Sequence, residues 1–130
     1  MSSICFRAAA AAAVLWLAGC EGASLRLTYT DNNTTVRVNT GEYVEVELRG
    51  NPSAGYTWQT DSINAAVLRQ TGEPDFIADS GMVGAGGTFV FRYECVGAGT
   101  SRLRLVYNRT FDSRSAPAQT FNATVLVAAR

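Results

Sequence analysis

Cys95 is the strongest nucleophile the folded part of this chain can offer, and nothing in the sequence is available to activate it. A thiol attacks as its thiolate, which needs a base or a cationic neighbour to draw off the proton. The sequence of 130 residues has no histidine, and its eleven basic residues are all arginine. Cys–His and Ser–His pairs are therefore excluded, and the commonest zinc ligand is missing. Without lysine there is neither a phosphate-loop lysine nor a Schiff base. Cys95 also falls on the apolar side of an alternating run, where a small buried residue is expected. These absences speak against an enzyme, and no cofactor or metal is expected. A formal charge of zero gives no reason to expect nucleic acid as a partner.

Three other stretches have compositions suited to contact. In Asn51-Pro52-Ser53-Ala54-Gly55, Pro52 fixes its own φ and pushes Asn51 towards extended backbone. Gly55 admits a positive φ, and Ser53 and Ala54 are small. This describes a stiff, narrow tip able to enter another molecule's cleft, with a plain structural turn as the other reading. Gly84-Ala85-Gly86-Gly87, preceded by Met82 and Val83, is glycine-rich. Phosphate loops feed a helix N-terminus, whereas this one feeds a strand, so a flexible hairpin or a backbone laid against a partner fits better. Phe111 is an isolated aromatic in a polar loop that also holds Arg109, a pairing typical of interface anchors.

The elements that must carry these stretches are strands. Leu25, Leu27 and Tyr29 alternate with polar residues, and residues 34–38 form a second short run. In residues 42–48, Val44, Val46 and Leu48 face inward while Glu45 and Glu47 face outward. Tyr56 and Trp58 share a face in residues 56–60 and read as core beneath the tip. Residues 61–80 carry no clear period. Residues 88–96, 102–107 and 119–128 alternate again, and residues 108–117 read as a long polar loop. No segment shows a long helical period. Short strands between Gly, Pro and Asn turns imply one all-β domain, an immunoglobulin-like antiparallel sandwich of about seven or eight strands. Two passes of the chain separate each of the three loops from the next, so all three are expected at one end.

Residues 1–19 read as a targeting segment, with Arg7 before an apolar run too short to span a bilayer. The run ends in Leu17-Ala18-Gly19-Cys20, which resembles the lipobox of bacterial lipoproteins. That resemblance implies cleavage before Cys20, a diacylglycerol on its thiol, and a lipid-anchored place in the cell envelope. An ordinary secretory signal cleaved near Ala18 or Gly19 is the other reading. Residues 20–24 would then be a short tether and residues 25–130 the folded domain. If residues 31–33 are a hairpin turn, the chain makes three passes before Asn51 and the loops face away from the anchor, the arrangement that suits access by a peptidase. If they are only a kink within one strand, two passes place the loops at the anchored end.

Taken in order, the three loops resemble those of chagasin-like inhibitors of papain-type cysteine peptidases. That family has an Asn-Pro-Thr-Thr-Gly loop followed by an aromatic residue and Trp, matched here by residues 51–58. Its Gly-X-Gly-Gly loop is matched by residues 84–87, and its Arg-Pro-aromatic motif by Arg109-Thr110-Phe111. The resemblance implies a reversible blockade of the peptidase cleft by a monomer. Asn51, Pro52, Ser53, Ala54 and Gly55 would be the plug. Met82, Val83, Gly84, Gly86 and Gly87 would be one clamp, and Arg109 with Phe111 the other. Thr110 in place of proline and Ser53-Ala54 in place of two threonines depart from the family pattern. A non-inhibitory envelope binding module using the same loop end is the alternative function.

Overall fold

The computed structural model describes residues 23–82, 84–109 and 116–129. The expectations for the targeting segment, Cys20, Val83, Thr110 and Phe111 fall outside the described residues. The strands are β1 (Ser24–Thr28), β2 (Thr34–Asn39), β3 (Tyr43–Gly50), β4 (Tyr56–Ser62), β5 (Leu68–Gln70), β6 (Asp75–Ala78), β7 (Gly87–Cys95), β8 (Gly99–Arg109) and β9 (Gln119–Ala128). One sheet has the order β1-β3-β7-β5, with β6 also paired to β7; the other has the order β2-β9-β8-β4.

The two sheets meet through the residues that alternation points inward. Val44, Val46 and Leu48 on β3 are fully buried, and Phe91, Tyr93 and Cys95 on β7 nearly so. Leu103 and Leu105 on β8 and Phe121 and Val125 on β9 close the core from the other sheet. Each large apolar side chain removed from water contributes roughly 1.5–3 kcal/mol, which is what holds a sandwich without a disulfide together. The outer face of the first sheet is charged, with Arg26–Glu47, Arg92–Glu45 and Arg69–Glu94 paired across neighbouring strands.

Strand direction decides where the loops fall. β3 runs towards the Asn51 turn and β4 runs back from it. β6 and β7 form an antiparallel hairpin whose connection lies at the same end. β8 is antiparallel to β4 and β9 antiparallel to β8, so the end of β8 at Arg109 and the start of β9 at Gln119 also lie there. β1 is parallel to β3, and β2 is parallel to β9. The chain thus makes three passes before Asn51, and Ser24 lies at the end opposite the loops. The reversal between β1 and β2 is not a hairpin: it carries the chain from one sheet to the other, which is why both strands find parallel partners.

Three local expectations change. Tyr29 does not continue the inward face of β1. It sits 45% exposed in a 3-10 turn (Tyr29–Asp31), where the Asp31 carboxylate accepts from the Thr28 amide at 2.9 Å and turns the chain. Asn108 does not begin a polar loop, since β8 continues through Arg109. Its side chain is buried and accepts from Gln59 Nε2 at 3.3 Å. Residues 61–80 resolve into β5 and β6, which lie end to end against β7 at the edge of the sheet.

Candidate functional site

The first loop is built around Asn51. The residue takes extended backbone at φ −138° and caps a 3-10 turn (Pro52–Ala54). Its Oδ1 accepts from the Ser53 amide at 3.1 Å and from the Ser53 hydroxyl at 2.6 Å. Gly55 closes the turn at φ 89°, in the left-handed region, and donates its amide to the Pro52 carbonyl at 3.0 Å. A side chain there would meet no neighbour but would strain the backbone.

An aromatic footing holds this tip. The Tyr107 ring lies 5.4 Å from that of Tyr56 and 5.1 Å from that of Trp58. The Tyr107 hydroxyl accepts from the Asn51 amide at 2.8 Å, and Trp58 Nε1 donates to the Arg49 carbonyl at 2.8 Å. Buried Tyr and Trp seek such partners for their polar ends, and here both partners are backbone at the root of the loop.

The second loop joins β6 to β7 and is tied to the first. Its ends meet through the Asp79 amide and the Gly86 carbonyl at 3.0 Å. Asn51 Nδ2 donates to the Gly84 carbonyl at 3.1 Å, so one side chain caps the first loop and grips the second. Gly86 packs on the Gly50 carbonyl, 3.2 Å from where a Cβ would stand, and at Gly87 a Cβ would come within 2.3 Å of the Ile77 carbonyl. Met82 in this loop is 77% exposed.

At the third loop, Arg109 ends β8 with its guanidinium 5.7 Å from the Tyr56 ring centre, and Nε donates to the Tyr56 hydroxyl at 3.3 Å. The structure therefore joins Asn51 directly to Gly84 and sets Arg109 against the residue that follows Gly55.

The profile of the chagasin family peptidase inhibitors, I42, matches residues 37–125, which contain all of these loops. The chain belongs to the chagasin family. Chagasin of Trypanosoma cruzi is 32% identical over 103 residues, covering 75% of this chain and 93% of that protein. The crystal structure of the cysteine protease inhibitor EhICP2 of Entamoeba histolytica shares the fold at a TM-score of 0.70 and 23% identity, covering 81% of this chain and 96% of that one. PbICP-C, solved in complex with falcipain-2, shares it at 0.51 and 17% identity, covering 84% and 100%. Chagasin-family proteins inhibit peptidases and are not enzymes.

Cys95 agrees with that assignment. It lies at the opposite end of β7 from Gly87 and is 1% exposed. Burial, with the negative field of Glu42 and Glu94, pushes its thiol up to about 11, the reverse of what a nucleophile needs.

Sequence reasoning missed two residues at this loop end. Arg49 makes a two-pronged ion pair with Asp79, Nη1 to Oδ1 at 2.8 Å and Nη2 to Oδ2 at 2.5 Å. The hydrogen bond from Arg49 holds the Asp79 carboxyl below its ordinary range. The partners lie 30 residues apart, and each alone reads as an ordinary charge at a strand end. A forward signal is that Arg49 is the outward-facing residue of β3 two positions before Asn51.

Proposed function

We propose that this protein is a reversible, non-covalent inhibitor of papain-like cysteine peptidases, blocking the active-site cleft with three loops at one end of its sandwich. The observation that carries this reading is the pre-assembled loop end, in which Asn51 both caps the first loop and holds Gly84 of the second. Loops fixed before contact lose little entropy on binding, and a wedge of three can cover roughly the 1,600 Å² of a standard inhibitor interface. Residues 51–55 form the plug. Met82, Gly84, Gly86 and Gly87 lie along one rim of the cleft, and Arg109, with Phe111 beyond it, along the other. The tip is a closed 3-10 turn and not an extended strand, which supports blockade over cleavage. The solved complex of PbICP-C with falcipain-2 supports the same partner class.

The reading includes an anchor: a lipid on Cys20 in the bacterial envelope, with residues 20–24 as tether. Support comes from β1, which begins at the end opposite the loops and would let them face away from the membrane. Incorporation of labelled palmitate, lost in Cys20→Ala, tests this part.

The decisive test is inhibition of papain and cathepsin L by residues 23–130, with activity recovered on dilution. Gly55→Glu, which puts a charged side chain on a left-handed residue in the plug, is expected to abolish inhibition. No inhibition of any papain-like enzyme at micromolar concentration refutes the proposal.

A further inference from the structure

We infer that Arg49 and Asp79 are positioning residues that set the second loop against the first, so that the tripeptide Arg49-Gly50-Asn51 acts as a bracket for both. The functional half of this inference rests on the peptidase-blocking reading above; the structural half does not.

The two grips come from one short piece of chain and fall near the two ends of one loop. The Arg49 side chain holds Asp79, the first residue beyond β6, and Asn51 holds Gly84, three residues before β7 begins. Among the described residues, the loop's own bonds are local: the Asp79 amide to the Gly86 carbonyl at 3.0 Å, the Met82 amide to the Ser80 hydroxyl at 3.2 Å and the Ala85 amide to the Met82 carbonyl at 3.2 Å. Thr88, the register partner of Arg49, accepts a further bond from Nη1 at 3.2 Å and keeps the guanidinium aimed along the outer face of the sheet.

The bracket itself has a firm base. The Arg49 carbonyl is held by Trp58, the Asn51 amide by Tyr107, and Gly50 is paired with Gly87. Of the five ion pairs among the described residues, four join strand to strand, and Arg49–Asp79 alone reaches into a loop. A strand-to-strand pair on an exposed face adds to a ladder already fixed by backbone bonds. A pair that ends on a loop changes where that loop rests. The guanidinium fork matches both carboxylate oxygens and so fixes direction as well as distance, which a lysine in that place would not do.

Exposed pairs stabilise folds little. Arg49 and Asp79 are therefore expected to matter for loop geometry far more than for unfolding, and this separates positioning from structural support. The experiment is a double-mutant cycle with Arg49→Gln, Asp79→Asn and both together, plus Arg49→Lys. Two readouts are taken: the inhibition constant against papain, and amide exchange of Asp79 in the free protein. Each single change is expected to speed Asp79 amide exchange by about three- to fivefold and to raise the inhibition constant by up to the same factor. The double variant is expected to be no worse than either single one, Arg49→Lys to fall between, and the thermal midpoint to move by about 2 °C or less. Unchanged exchange and unchanged inhibition in both single variants overturn the bracket and leave the blocking reading intact. If the wild-type protein blocks no peptidase, the blocking reading and the functional half fall together, and the exchange data alone decide the structural half.

Discussion

Asn51→Ala tests whether the loop end is pre-assembled, and its size can be worked from the geometry. The change removes two bonds accepted by Oδ1 from Ser53 and the one donated by Nδ2 to Gly84, while the backbone bonds to Tyr107 and Ala54 remain. A net hydrogen bond contributes about 0.5–1.5 kcal/mol, and the exposed setting of these three places them at the low end. Their loss amounts to about 1.5 kcal/mol, which is roughly tenfold in the ratio of assembled to open loop. The apparent inhibition constant then rises by up to about tenfold, because only the assembled fraction binds. The thermal midpoint falls by about 4–8 °C if most of that energy reports on global unfolding. Asn51→Asp separates the two roles. Its carboxylate still accepts from Ser53 but cannot donate to the Gly84 carbonyl and repels it, so the first loop stays capped while the link to the second is lost. Inhibition is expected to weaken less than in Asn51→Ala. The assays are progress-curve inhibition of papain and differential scanning calorimetry. An Asn51→Ala protein with a lowered midpoint and wild-type inhibition refutes the claim that Asn51 organises the binding end.

Gly50→Ala is expected to cost about 1–3 kcal/mol in thermal unfolding, because its Cβ would stand 2.8 Å from Phe89 Cε1 and 3.0 Å from Tyr107 Cε1. Tyr107 cannot yield without moving the hydroxyl that holds Asn51, so inhibition is expected to weaken with stability. Alkaline pH is a second probe. The Cys95 thiol, raised by burial to about 11, stays neutral in the folded protein while the unfolded thiol ionises near 9. Stability from this group is intact below about pH 9 and falls by about 2–3 kcal/mol as pH rises towards 11. Burial raises the Tyr93 phenol too and pushes in the same direction. Thermal midpoints between pH 8 and pH 11 are expected to fall less steeply in Cys95→Ala, and equal slopes refute this account.

Legibility in the sequence followed burial contrast. The run Gln119–Ala128 is read to the residue because Phe121, Ala123, Val125 and Val127 are buried and the residues between them are not. β5 and β6 are three and four residues long at a sheet edge, and every residue of β6 is exposed, so no alternation marks them. Tyr29 looked like the next inward residue because periodicity cannot register that the Asp31 carboxylate stops the strand. Asn108 looked like loop because a buried amide with a side-chain partner on the next strand is indistinguishable, in sequence, from a solvated one.

The sequence by itself determined that this is an all-β chain with no means of activating a nucleophile, and that its loops carry the family's motifs in order. Composition and period two suffice for the first, and local backbone chemistry at Pro52 and Gly55 for the shape of the tip. Only the tertiary structure decided which residues lock the loops to one another. Asn51 meets Gly84, Arg49 meets Asp79, and Tyr107 meets the Asn51 amide across separations of 33, 30 and 56 residues. Contacts of that span are set by sheet register and strand direction, which no local pattern in the chain encodes.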